Sequence, residues 1–145
     1  MSRSGYSSDL DPLVLGRWRA QVASAIRGKR GQKLLADMVA ALEAMPEKRL
    51  IASSLEESGE VCALGAVGRM RGINMMGIDP TEPEEVADAF NIARQLAMEI
   101  AFENDEACPR DTPEERWQSM RNWAVVNIRP AELEKILWPK SEGIK

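Results

Sequence analysis

Residues 31–46 read Gly31-Gln32-Lys33-Leu34-Leu35-Ala36-Asp37-Met38-Val39-Ala40-Ala41-Leu42-Glu43-Ala44-Met45-Pro46, and they decide the fold class. Leu34, Leu35, Met38, Val39, Leu42 and Met45 recur at steps of three and four. That spacing gathers side chains on one face of an α-helix. Pro46 ends the run, since it has no N–H to donate and its ring clashes with the preceding turn. An apolar stripe of this width needs a partner surface, so it predicts a helix packed among other helices.

Working outward toward the N-terminus, Leu15, Trp18, Val22, Ala25 and Ile26 form a second stripe at the same spacing. Asp11 is a suitable cap and Pro12 is pre-set for the first helical position, so this helix starts there and runs to about Gly28. A short Gly-containing connection, broken at Gly31, predicts an antiparallel helical hairpin. Residues 1–11 are polar and without periodicity, and are expected to form a flexible N-terminal arm.

Toward the C-terminus, residues 49–58 carry mixed signals: Leu50-Ile51 suits a strand or a short helix, and Ser53-Ser54 suits a turn. Residues 60–71 place Val61, Leu64, Val67 and Met70 at helical spacing, with Gly65 and Gly68 inside. Each interior glycine costs about 1 kcal/mol against alanine, so packing must hold this helix, and its small residues invite a close neighbour. Thr81-Glu82-Pro83-Glu84 and Thr112-Pro113-Glu114-Glu115 both read as capping boxes. Helices are predicted over 84–90 and 93–103, separated at Asn91, which tolerates a left-handed backbone. Two more follow over 113–127 and 131–138, before a polar tail at 139–145. The expected architecture is all-α: a compact single-domain bundle of five to seven helices over residues 12–138, with a short irregular or β-like segment near 49–58.

With 145 residues, 44% of them hydrophobic, the chain is long enough for one autonomous core. It has no apolar run of spanning length and no apolar leader, so the expectation is a cytoplasmic protein with no membrane partner. Cys62 and Cys108 are too few for a disulfide scaffold and are expected to be free thiols. The absence of histidine removes the commonest general base and the commonest zinc ligand. No motif calls for a cofactor or a metal.

The net charge of −4 conceals a division: residues 1–72 carry eleven Lys/Arg against eight Asp/Glu, and residues 73–145 carry eight against fifteen. Arg17, Arg19, Arg27, Lys29, Arg30 and Lys33 occur with no acidic residue between Asp11 and Asp37. They are the candidate nucleic-acid-binding residues, set against the plainer alternative of a solvated face. Glu99, Glu103, Asp105 and Glu106 form the candidate protein-binding cluster, suited to a basic partner. Residues 86–100 also match helix-turn-helix spacing, although the acidic residues that follow would repel phosphate. Asn104-Asp105 reads as a local turn. A carboxylate-dependent hydrolase using Asp105, Glu106 and Asp111 is the enzyme alternative, and the leading expectation is a protein that is not an enzyme.

Arg17-Trp18-Arg19, the run 27–32, the run 45–51, residues 59–68 (GEVCALGAVG), the run 103–106 and residues 112–123 (TPEERWQSMRNW) together resemble a family of small proteins encoded by tailed bacteriophages and prophages of Gram-negative bacteria. The resemblance covers most of residues 15–125. That family supplies no activity from which a catalytic residue transfers. It implies a viral accessory protein of the host cytoplasm that binds a host or defence protein or nucleic acid, with a homodimer among the open arrangements.

Overall fold

The computed structural model describes residues 2–7 and 11–139. Along them run α1 (Pro12–Arg27), α2 (Lys29–Ala44), β1 (Glu56–Glu57), β2 (Glu60–Val61), α3 (Ala63–Arg71), α4 (Pro83–Phe90), α5 (Arg94–Asp105), α6 (Pro113–Asn127) and α7 (Pro130–Leu137). The all-α expectation holds, and the β-like segment is a two-stranded antiparallel hairpin. The predicted tail beyond Pro139 lies outside the described residues, as do Met1 and residues 8–10 of the predicted arm.

α2 sits at the centre because its stripe demands it. Leu34, Leu35, Met38, Val39 and Leu42 are completely buried, and α1, α3, α6 and α7 pack around them. Burying each such side chain contributes about 1.5–3 kcal/mol. α5 is the second internal helix: Leu96, Ala97, Met98, Ile100 and Ala101 are buried beneath α1, α3, α4 and α6.

α1 keeps most of its predicted stripe, with Trp18, Ala25 and Ile26 half-buried and the last two packed on the core, and loses it only at Leu15. Val22 is its one buried residue, and Leu13, Val14 and Leu15 are 75%, 48% and 44% exposed. The first turns of α1 therefore overhang the bundle. The α1–α2 break falls at Gly28 alone, which serves as C-cap of one helix and N-cap of the next.

The helix predicted over 60–71 begins later, at Ala63, because Glu60 and Val61 pair with Glu57 and Glu56 in the hairpin. Its small residues do allow close approach: α2 packs along it, and the chain just before β1 comes in at Gly65. A Cβ on Gly65 would lie 1.9 Å from the Leu55 carbonyl oxygen. Glycine is the residue that admits this contact.

The capping box at Thr112 forms, with its hydroxyl accepting from the Glu115 N–H and the Glu115 carboxylate accepting from the Thr112 N–H. The one at Thr81 does not. α4 is capped at Glu82 without a side-chain bond, and the Thr81 hydroxyl donates to Asp79 instead.

Three buried polar side chains tie distant elements together. Arg116 donates to the carbonyls of Asn104, Leu50 and Asp111 at 3.0–3.2 Å. Asn104 accepts from the Ala63 N–H and donates to the Ile51 carbonyl, so it is a long-range clamp on α5 and not the local turn expected. Gln32 donates to the Ile26 and Asn127 carbonyls and accepts from the Arg129 N–H, locking the α1–α2 corner to the α6–α7 corner.

Residues 2–7, expected as part of a loose arm, lie seated against the bundle. Arg3 and Ser4 are 4% and 0% exposed. The segment lies on the acidic end of α5, described below, with Tyr6 packed on Trp18 and Phe102.

Candidate functional site

The sequence nominated one basic and one acidic set, and the fold treats them differently. At the α1–α2 corner, Arg27, Lys29 and Arg30 are exposed, and none has an acidic partner among the described residues. Arg129, at the start of α7, donates to the Arg27 carbonyl at 2.7 Å and adds a fourth cation that sequence reading overlooked. Its contribution follows from the Gln32 clamp, which brings two corners about a hundred residues apart into contact.

The other three nominated cations are placed otherwise. Arg17 is exposed on α1, two turns or more from the corner. Lys33 pairs with Asp37 at 3.2 Å, and Asp37 also holds Arg71. Arg19 is taken out of the basic set altogether, because its guanidinium grips Glu99 in a two-pronged pair at 2.8 and 3.0 Å. That bond raises the guanidinium above its ordinary value.

The acidic set is largely turned inward, which corrects the expectation of an exposed docking face. Glu99 is 3% exposed and accepts from Arg19 and from the Tyr6 hydroxyl. Asp105 accepts two bonds from Arg3 at 2.6 and 2.7 Å, with further donation from Asn104 and the Ser53 N–H. Burial pushes its carboxyl up, but the Arg3 bonds and charge outweigh this and hold it below the ordinary range. Glu106 accepts from Ser2 at 2.8 Å and from Ser4.

Glu103 alone of the four has neither a hydrogen bond nor an ion pair among the described residues. It is half-buried, and desolvation together with the neighbouring Glu99 raises its pKa. Around these carboxylates the Tyr6 ring meets Trp18 edge-on at 5.8 Å and Phe102 at 5.1 Å. The Trp18 indole N–H donates to the Tyr6 hydroxyl at 2.9 Å, and burial pushes the Tyr6 phenol up. A cleft of about 410 Å3 continues from here beneath the overhang of α1.

The helix-turn-helix spacing does produce two helices joined at a left-handed Asn91, φ 56°. α5, however, in the place of the recognition helix, is covered by four other helices. It offers no free face to a DNA groove.

Asp105, Glu106 and Asp111, the carboxylates of the hydrolase alternative, point to separate partners: Arg3, Ser2 with Ser4, and Ser119. Among the described residues no three Cys, Asp or Glu side chains lie together as a metal-holding group. Both cysteines are free, Cys62 buried and Cys108 exposed. A separate groove of about 470 Å3, lined by Ala41, Met45, Ala66 and Met70, runs between the end of α2 and α3. Arg49 and Glu60 pair at its rim.

No family model, no curated protein and no solved structure matches the chain. Among the described residues no helix is long and apolar enough to cross a membrane.

Proposed function

We propose that this chain is a phage- or prophage-encoded accessory protein of the host cytoplasm that works by non-covalent binding, and that its ligand is nucleic acid held at the α1–α2 corner. The viral origin rests on the sequence resemblance alone. The choice of ligand rests on one observation: Arg27, Lys29, Arg30 and Arg129 are exposed around this corner with no acidic partner among the described residues, Arg30 donating only to the Asn91 side-chain oxygen at 3.4 Å, while most of the nominated carboxylates already have partners inside the fold. Cations of this kind gain most from phosphates, because each contact releases condensed counterions.

The binding surface is small and carries no base-reading element, so the affinity is sequence-independent. On duplex DNA, log K should fall against log salt with a slope of about −0.9 per phosphate contact, or about −3 to −4 for this corner. A gel-shift series from low to physiological salt measures it. The triple variant Arg27→Glu, Lys29→Glu, Arg30→Glu should abolish the shift, whereas Arg17→Glu should leave most of it. Absence of any shift on DNA or RNA at low salt would sink the reading.

A further inference from the structure

Residues 2–7 lie on the acidic end of α5 in the manner of a bound peptide. Arg3 reaches a buried carboxylate, Asp105, with a two-pronged bond, and its third nitrogen lies 3.6 Å from the Cys62 sulfur. Ser2 and Ser4 hold Glu106. Gly5 bends the backbone at φ 70°, and a Cβ there would lie 3.2 Å from the Met98 methyl. Tyr6 then turns toward Trp18 and Phe102, its hydroxyl donating to Glu99.

We propose that this end of α5 is a receptor surface for an extended segment carrying an arginine with an aromatic residue three places on, filled in cis by the chain's own Arg3–Tyr6. A partner segment of the same chemistry docks by displacing it. The occupant itself is the argument, for it shows which charges and rings the surface accepts.

Displacement is feasible because the segment is held mainly by charged and polar contacts. Once parted, Arg3 and Asp105 both regain water, so their buried pair adds little net attachment. Short segments held in this way open at low free energy while the core stays closed. Glu103, half-buried and without a hydrogen bond or ion pair among the described residues, and the cleft beneath α1 give a longer or more basic competitor something to gain. This inference is independent of the nucleic-acid reading, which concerns another corner of the molecule.

The test uses the full chain and its indole N–H resonances. Trp18 donates to Tyr6 and so reports the seat, while Trp117 donates to the Leu42 carbonyl and reports the core. Arg3→Ala and Gly5→Val should each shift the Trp18 signal and leave Trp117 in place. The two release the segment by different routes, one removing a charge and the other straining the bend, so the test does not hang on either variant alone.

Adding the hexapeptide Ser-Arg-Ser-Gly-Tyr-Ser to either variant should return Trp18 to its original position at millimolar concentration or below. The same peptide with alanine for arginine should need at least about tenfold more. In Asp105→Asn the peptide should lose a comparable factor. An unmoved Trp18 in both variants, or a released signal that the peptide does not restore, overturns the proposal.

Discussion

Arg116 carries a buried positive charge and satisfies it on three backbone carbonyls. Its geometry makes a sharp prediction. Arg116→Ala leaves three carbonyls without a donor and should cost about 3 kcal/mol of stability. Arg116→Lys should recover only part of this, because an ammonium cannot spread over three acceptors as a planar fork does. Denaturant titration of the two variants checks the order, and equal stability of the two would discard the argument. Nothing local in the sequence marks Arg116, Gln32 or Asn104 for these roles. Their partners lie up to 97 residues away, so periodicity and capping signals cannot see them.

Glu103 gives the opposite case, a charge the fold disfavours. Its pKa is raised, so the native state binds its proton more tightly than the unfolded chain does. The penalty is therefore absent below the unfolded value of about 4.3 and grows as pH rises through the raised native value. Glu103→Gln should accordingly raise the melting midpoint at pH 7, with the gain disappearing near pH 4. A midpoint lowered at pH 7 would mean that Arg19 is attracting this carboxylate more strongly than burial opposes it.

At the scale of elements, the two Thr-x-x-Glu sequences show what was legible and why one misled. In Thr112-Pro113 the proline directly follows the threonine; proline takes the first helical position, so the threonine becomes the cap. In Thr81-Glu82-Pro83 the proline again takes the first position, which moves the cap to Glu82 and leaves Thr81 outside the helix. The motif matches in both, but the proline sets the register. Thr112→Ala should therefore cost about 1 kcal/mol, as lost caps do. Thr81→Ala should stay within about 0.5 kcal/mol, as exposed substitutions away from such features do. Thermal melts of the pair decide it.

The stripes of α2 and the bounds of α6 were readable because each is specified by its own residues. The start of α3 was not, because Val61 fits a helical pattern and a strand pattern alike, and pairing with Glu56 chooses between them. Nor did periodicity show that the apolar side chains in the first turn of α1 stay exposed.

Over the whole molecule, the division into a basic first half and an acidic second half is largely folded inward. Arg3 meets Asp105 and Arg19 meets Glu99, each pairing one half with the other. The α1–α2 corner keeps its cations on the outside, and the sequence located three of its four. The Arg3–Asp105 pair makes stability depend on acid. Asp105 has a lowered native pKa, so its contribution is present above about pH 4 and is lost as pH falls through the native value. In Asp105→Asn the unfolding free energy should be lower at pH 7 but should fall less steeply below pH 4. Parallel acid limbs in the two proteins would remove Asp105 from this role.

The seat of Arg3 also has a history in time. Its partner Asp105 lies 102 residues further along the chain, and synthesis at about 5–20 residues per second separates the two by roughly 5–20 s. Throughout that interval the segment has nowhere to dock, and its serines, arginine and tyrosine stay open to any enzyme or chaperone near the ribosome. The segment is thus made well ahead of its seat and covered only once the end of α5 has followed it.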